Sequence, residues 1–182
     1  MTGIQKSVIL RISSTIVYEN PWMTVREDEI ERPDGSRGIY GVVHRPDSVL
    51  VVPWDGTHFH LVEEFRYPLG RRSWSFPQGS APEATREAEA RRELAEETGL
   101  RAGRVRPLGL IDDAHGTSTQ RLHVFLATDL TAGESAREHT EQDMRQSRVS
   151  RAEFEAMVRG EQVTDSSSIA AYAMLLLGPA LP

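Results

Sequence analysis

Glu93, Glu96 and Glu97 lie within five consecutive residues of an alanine-, arginine- and leucine-rich stretch. On a helix, positions i, i+3 and i+4 fall on one face about a turn apart, and Glu89 extends the stripe by another turn. Like charges so placed repel by roughly 0.2–0.5 kcal/mol per pair in an isolated helix, and Arg86, Arg91 and Arg92 offset part of that cost. A compact set of carboxylates offers hard oxygen ligands and negative charge, which is what a divalent cation such as magnesium binds. The competing reading is a solvated helix face laced with salt bridges, common wherever Glu and Arg alternate. The order Arg92-Glu93-Leu94-Ala95-Glu96-Glu97-Thr98-Gly99-Leu100 favours chemistry. It joins an acidic triplet to a preceding Arg, an internal core Leu and a glycine stop.

The elements that must hold this stripe can be read around it. Glu83–Thr98 has helix-favouring composition, and Gly99 is placed to end the helix in a left-handed conformation with Leu100 packing behind it. Upstream, Val8–Tyr18 is rich in β-branched residues, Asn20-Pro21 breaks it, and Trp22–Ile30 resumes as strand. Pro33-Asp34-Gly35 predicts a turn into a return strand at Ile39–His44. Ser48–Pro53 is a continuous apolar run suited to a buried central strand, Asp55-Gly56 is a turn, and His58–Phe65 is another strand. Trp74–Phe76 is a short strand stopped by Pro77, and Arg71-Arg72 before it reads as a charged turn. Strands at Val105–Asp112 and Arg121–Ala127 follow, then a polar loop at Ala132–Gln142. Helices at Arg151–Arg159 and Ser166–Leu177 end the chain. Strands, helix, strands and helices in that order predict an α/β (α+β) domain in which helices cover a mixed sheet.

The 182 residues suit one domain with a small appended element, and 38% hydrophobic against 26% charged content argues against general disorder. A net charge of −6 argues against a broad basic surface, so no nucleic-acid partner is expected. The chain has no cysteine, which removes disulfides, thiolate metal sites and cysteine nucleophiles. The N-terminal stretch lacks a basic segment followed by a sustained apolar run, and Ile169–Leu177 is too short to span a membrane. A cytoplasmic enzyme without a membrane partner is the expectation.

The glutamate segment resembles the Nudix box, whose pattern is Gly, five residues, Glu, seven residues, then Arg-Glu-U-x-Glu-Glu-x-Gly-U with U aliphatic. Arg92, Glu93, Leu94, Glu96, Glu97, Gly99 and Leu100 match the second half at every fixed position. From Gly79 to Arg92 the chain is one residue shorter than the pattern. Ala84 stands where the first Glu is counted, with Glu83 beside it. Further segments resemble the branch that hydrolyses ADP-ribose and nucleoside diphosphate sugars: Leu61-Val62-Glu63-Glu64-Phe65-Arg66-Tyr67-Pro68, Trp74-Ser75-Phe76-Pro77-Gln78-Gly79, and Arg121 to Ala127. Ser75 replaces the Glu usual there, and Gln78 replaces a small residue. Pro-Gln-Gly also occurs in relatives acting on dinucleoside polyphosphates or capped RNA ends.

The resemblance implies a Nudix α/β/α sandwich over residues 46–182 and an N-terminal antiparallel strand element over residues 1–45 that forms a homodimer. It implies that Glu93 and Glu97, assisted by Glu96, hold Mg2+, with Mn2+ as a substitute, and that the Gln78 carbonyl adds a ligand. Arg66 would contact the diphosphate, and Trp22 is the candidate for stacking on the base. The catalytic base of this branch sits on the loop after the strand ending at Ala127, which makes Glu141 the first candidate and Glu138 the second. A lone His115 carries little weight. The implied reaction is Mg-dependent hydrolysis of a nucleoside diphosphate derivative, first ADP-ribose or an ADP-sugar, to a nucleoside monophosphate and a sugar phosphate. The alternatives are a Nudix hydrolase of dinucleoside polyphosphates or other nucleotide derivatives, and a catalytically inactive nucleotide-binding module.

Overall fold

The computed structural model describes residues 8–80, 85–133 and 143–178. The chain divides into two compact units, residues 1–46 with 112–120, and residues 47–111 with 121–182.

The first unit is built on a three-stranded antiparallel sheet, β1 (Leu10–Asn20), β2 (Met23–Glu31) and β3 (Arg37–His44), in that order. Asn20 makes the first turn: its side-chain oxygen accepts from the Trp22 and Met23 amides at 2.9 and 2.8 Å. Trp22, expected to begin the second strand, therefore sits in the turn and is 72% exposed. The Pro33–Gly35 turn forms as read, with the Gly35 amide donating to the Arg32 carbonyl. The 112–120 segment joins this unit through the Tyr40 hydroxyl, which donates to the Gly116 carbonyl at 2.8 Å. His115 is exposed on it.

The second unit holds two sheets. One is mixed, in the order β7 (Gln78–Ser80), β4 (Ser48–Pro53), β9 (Arg121–Ala132) and β8 (Leu100–Asp112). In it β4 runs antiparallel to β7 and parallel to β9. The other is antiparallel, with β5 (His58–Arg66) between β10 (Arg145–Ser150) and β6 (Arg71–Ser75). All six residues of β4 are buried. Because strand side chains alternate faces, Val49 and Val51 pack on one side with Ala90 and Leu94 of α1 (Arg86–Thr98). Leu50 and Val52 pack on the other with Phe59, Phe76, Phe154 and Ala171. Phe154 belongs to α2 (Arg151–Arg159) and Ala171 to α3 (Ser166–Leu177). The helices thus cover both faces of the mixed sheet, the layered α+β arrangement expected.

Four local readings change. Arg71 and Arg72 are not a turn but the start of β6, because Arg72 pairs with Phe65 across the hairpin. Helix α1 starts at Arg86, since the Thr85 side chain accepts from the Ala88 amide and caps it. Strand β10 was not anticipated, and β8 begins at Leu100, five residues before the expected start. Among the described residues no helix is long and apolar enough to cross a membrane.

Candidate functional site

Helix α1 presents its glutamates from a fixed platform. Ala90 and Leu94 have no exposed surface and anchor one face in the core. Burying Leu94 alone is worth about 2 kcal/mol. Gly99 ends the helix at φ 72°, its amide donating to the Ala95 carbonyl, a conformation that any Cβ would strain. Glu89, Glu93 and Glu97 are 8%, 6% and 3% exposed. Carboxylates this buried are retained only where their charge is answered.

In this structure Arg92 answers much of it. Its guanidinium reaches Glu89 at 2.9 Å, Glu93 at 2.5 Å and, by a short contact, Glu96. Burial alone would lower the Arg92 pKa, but Glu89, Glu93 and Glu96 outweigh it and hold the pKa above the ordinary arginine value. Among the described residues no three His, Asp or Glu side chains converge as a ready cage for a metal ion. The donor set still fits a hard divalent metal: several carboxylate oxygens on one face, with a cation already bound by them. Gly79 supports the same fit. A Cβ at that position would overlap the Glu93 carboxylate, so the backbone of β7 comes right up to the acidic face.

The segment carrying Gln78 is tied down on both sides. Its strand pairs with β4, Gln78 opposite Leu50, and the Pro77 carbonyl accepts from the Val51 amide at 2.9 Å. On the other side, the Phe76 amide donates to the Ser168 hydroxyl at 2.8 Å. Asp165 caps α3 by accepting from the Ser168 amide and hydroxyl at 2.8 and 2.6 Å, and it also accepts from the Gln78 side chain at 3.4 Å. Asp165 further lines an open cavity of about 280 Å³ with Arg66, Ser73, Ser75, Thr164 and Leu69. Arg66 enters that cavity from the end of β5 and pairs with Glu64 at 2.7 Å. Ser75 is 2% exposed, and its hydroxyl makes no hydrogen bond among the described residues.

The structure therefore brings Glu93, Glu96 and Glu97 onto one helix face, sets the Gln78-Gly79 backbone against Glu93, and connects Gln78 to Arg66 through Asp165. Trp22 belongs to the other compact unit. Glu138 and Glu141, and with them Glu83, lie outside the described residues. Sequence reading did not single out Asp165 as part of the site. Its signal was the Asp-x-x-Ser start of the last helix, an N-cap pattern whose second use appears only once β7 packs beside it.

A family model for the NUDIX domain matches residues 44–168, and one for the nucleoside diphosphate sugar hydrolase N-terminal domain matches residues 10–43. The chain belongs to the Nudix family. Among curated relatives of this Nudix protein, an ADP-ribose pyrophosphatase of Mycobacterium tuberculosis (strain ATCC 25618 / H37Rv) is 31% identical over 87% of this chain and 79% of its own. An ADP-ribose pyrophosphatase of Bacillus subtilis (strain 168) is 29% identical over 93% of this chain and 94% of its own. A crystal structure of an ADP compounds hydrolase superposes with a TM-score of 0.85, covering 94% of both chains at 21% identity, which establishes the shared fold. The Nudix protein is an enzyme, a pyrophosphohydrolase.

Proposed function

We propose that the protein hydrolyses ADP-ribose or a related ADP-sugar with magnesium, releasing AMP and a sugar phosphate. The observation that carries this reading is the buried glutamate face of α1 closed by Gly79. It supports Glu93, Glu96 and Glu97, with the Gln78 carbonyl, as the groups that would hold the metal, and manganese has the same ligand preference. A bound divalent ion supplies charge neutralisation of the diphosphate and acidifies a coordinated water. The chain's own groups do the rest. Arg66 pairs with diphosphate oxygens, exchanging Glu64 for a phosphate through its planar fork. Asp165 holds Gln78 and the α3 N-terminus in register beside it. Glu141, or second Glu138, takes the proton from the attacking water as general base. Trp22 stacks on the base. No covalent intermediate is needed.

Residues 46–182 form the catalytic domain in this reading, and residues 1–45 the dimerising element of a cytoplasmic homodimer. Support comes from β1, an eleven-residue edge strand whose Leu10, Ile12, Ile16 and Tyr18 are all about half exposed. Long apolar edges of this kind are normally covered. Sedimentation equilibrium will give twice the 20.4 kDa chain mass; a monomer at micromolar concentration would remove this element of the reading.

Product analysis tests the chemistry. With magnesium and a panel of ADP-ribose, other nucleoside diphosphate sugars and dinucleoside polyphosphates, ADP-ribose will yield AMP and ribose 5-phosphate at the highest kcat/KM. Preference for a dinucleoside polyphosphate would transfer the assignment to that substrate class.

A further inference from the structure

Arg72 makes four hydrogen bonds. Its Nε donates to the Glu63 carboxylate at 2.7 Å and its Nη1 to the Asp143 carboxylate at 2.5 Å. Its Nη2 donates to the backbone carbonyls of both Glu63 and Asp143 at 2.9 Å. One guanidinium thus holds a side chain and a main-chain carbonyl on each of two segments, one 9 residues before it and one 71 residues after it, a fork that lysine cannot reproduce. Asp143 itself is 60% exposed in its side chain.

The place of Asp143 in the chain gives this clamp its meaning. Three residues on, the Gln146 side chain donates to the Glu97 carbonyl at 2.8 Å, satisfying a carbonyl in the last turn of the glutamate helix. On the other side of residues 134–142, the Gly133 amide donates to the Gly99 carbonyl at 2.7 Å, directly beyond the same helix end. Both described flanks of that stretch are therefore fastened within two residues of Glu97, and Arg72 supplies the most extensive fastening on the returning flank.

We propose that Arg72 is a positioning residue for the hydrolysis, acting through Asp143 to set the start of β10 against the end of α1. The inference rests on the reading above that Glu97 serves the metal. The guanidinium touches no reacting atom; it fixes where β10 starts against the end of the glutamate helix. Misplacing a reacting group by about 1 Å costs on the order of a hundredfold in rate, with little effect on binding made elsewhere.

The test measures kcat, KM and thermal unfolding for wild type, Arg72→Lys, Arg72→Ala, Asp143→Ala and the Arg72→Ala/Asp143→Ala pair, with hydrogen exchange across residues 133–147. Wild-type hydrolysis of ADP-ribose checks the underlying reading, and its absence there would overturn that reading itself. Given an active wild type, Arg72→Lys and Arg72→Ala will lose about ten- to a hundredfold in kcat with KM held within about threefold. Exchange will quicken at residues 143–146, and the double variant will be no slower than Arg72→Ala alone, because both act through one contact. The proposal is overturned if Arg72→Lys keeps kcat within threefold of wild type, if the loss in Arg72→Ala equals its unfolded fraction, or if the two substitutions multiply independently.

Discussion

Glu97→Gln will lower kcat by about 10²–10⁴-fold while the far-ultraviolet circular dichroism and melting temperature stay close to those of the parent. Gln keeps the volume and one acceptor oxygen of Glu but removes the charge. At a site 3% exposed, water cannot replace what is lost. Each tenfold in rate is 1.36 kcal/mol, and a divalent ion's stabilisation of transition-state charge amounts to several kcal/mol, so losing one carboxylate ligand is expected to remove about 3–5 kcal/mol. Stability is spared because the helix is anchored by Ala90 and Leu94, and a buried neutral amide is less costly than a buried carboxylate. Glu87→Gln provides the control: that side chain is 53% exposed and pairs only with Arg91 among the contacts seen, so turnover will not change. Full activity of Glu97→Gln in magnesium would end the assignment of this face to catalysis.

The second large effect concerns stability. Phe59→Ala will destabilise the fold by about 3–5 kcal/mol, the usual cost of deleting a fully buried aromatic ring. Phe59 has no exposed surface, and its ring lies 4.8 Å from Trp54, 5.6 Å from Phe76, 5.6 Å from Phe154 and 5.9 Å from Tyr172. These neighbours come from the end of β4, the segment before β7, α2 and α3, so one ring joins the antiparallel sheet to the helical layer. For a domain of this size the cost corresponds to a drop of roughly 6–20 °C in melting temperature. Urea titration with unchanged m-value will show it cleanly, and a loss below about 1 kcal/mol would mean the neighbours close over the gap.

The two halves of the molecule's logic were not equally visible in its sequence. The glutamate face was legible because helical spacing is local: Glu93, Glu96 and Glu97 meet through the helix alone, and Gly99 marks the end. Strand β4 was legible because Ser48–Pro53 is buried on both faces and so shows no alternation. Strand β10 was not, since Arg-Gln-Ser-Arg-Val-Ser buries only Val149 and takes its register from β5, more than eighty residues earlier. Arg72 looked like a turn residue for the same reason: Asp143, which gives it purpose, is distant in sequence. The link from Gln78 through Asp165 to the Arg66 cavity likewise needs the packed α3 N-terminus. Propensity speaks for local elements and falls silent where a strand or side chain is defined by what lies across from it.

Arg92 offsets part of the negative charge of its own helix. It is a counterion on a leash, attached to the very helix it neutralises, and it cannot diffuse away. Any metal drawn to Glu93 and Glu96 competes with a rival whose local concentration is fixed by a covalent tether rather than by the solution. One consequence follows for the reaction proposed here. With the metal reading proposed above, occupancy would track the free divalent ion over the range where ion and guanidinium are matched.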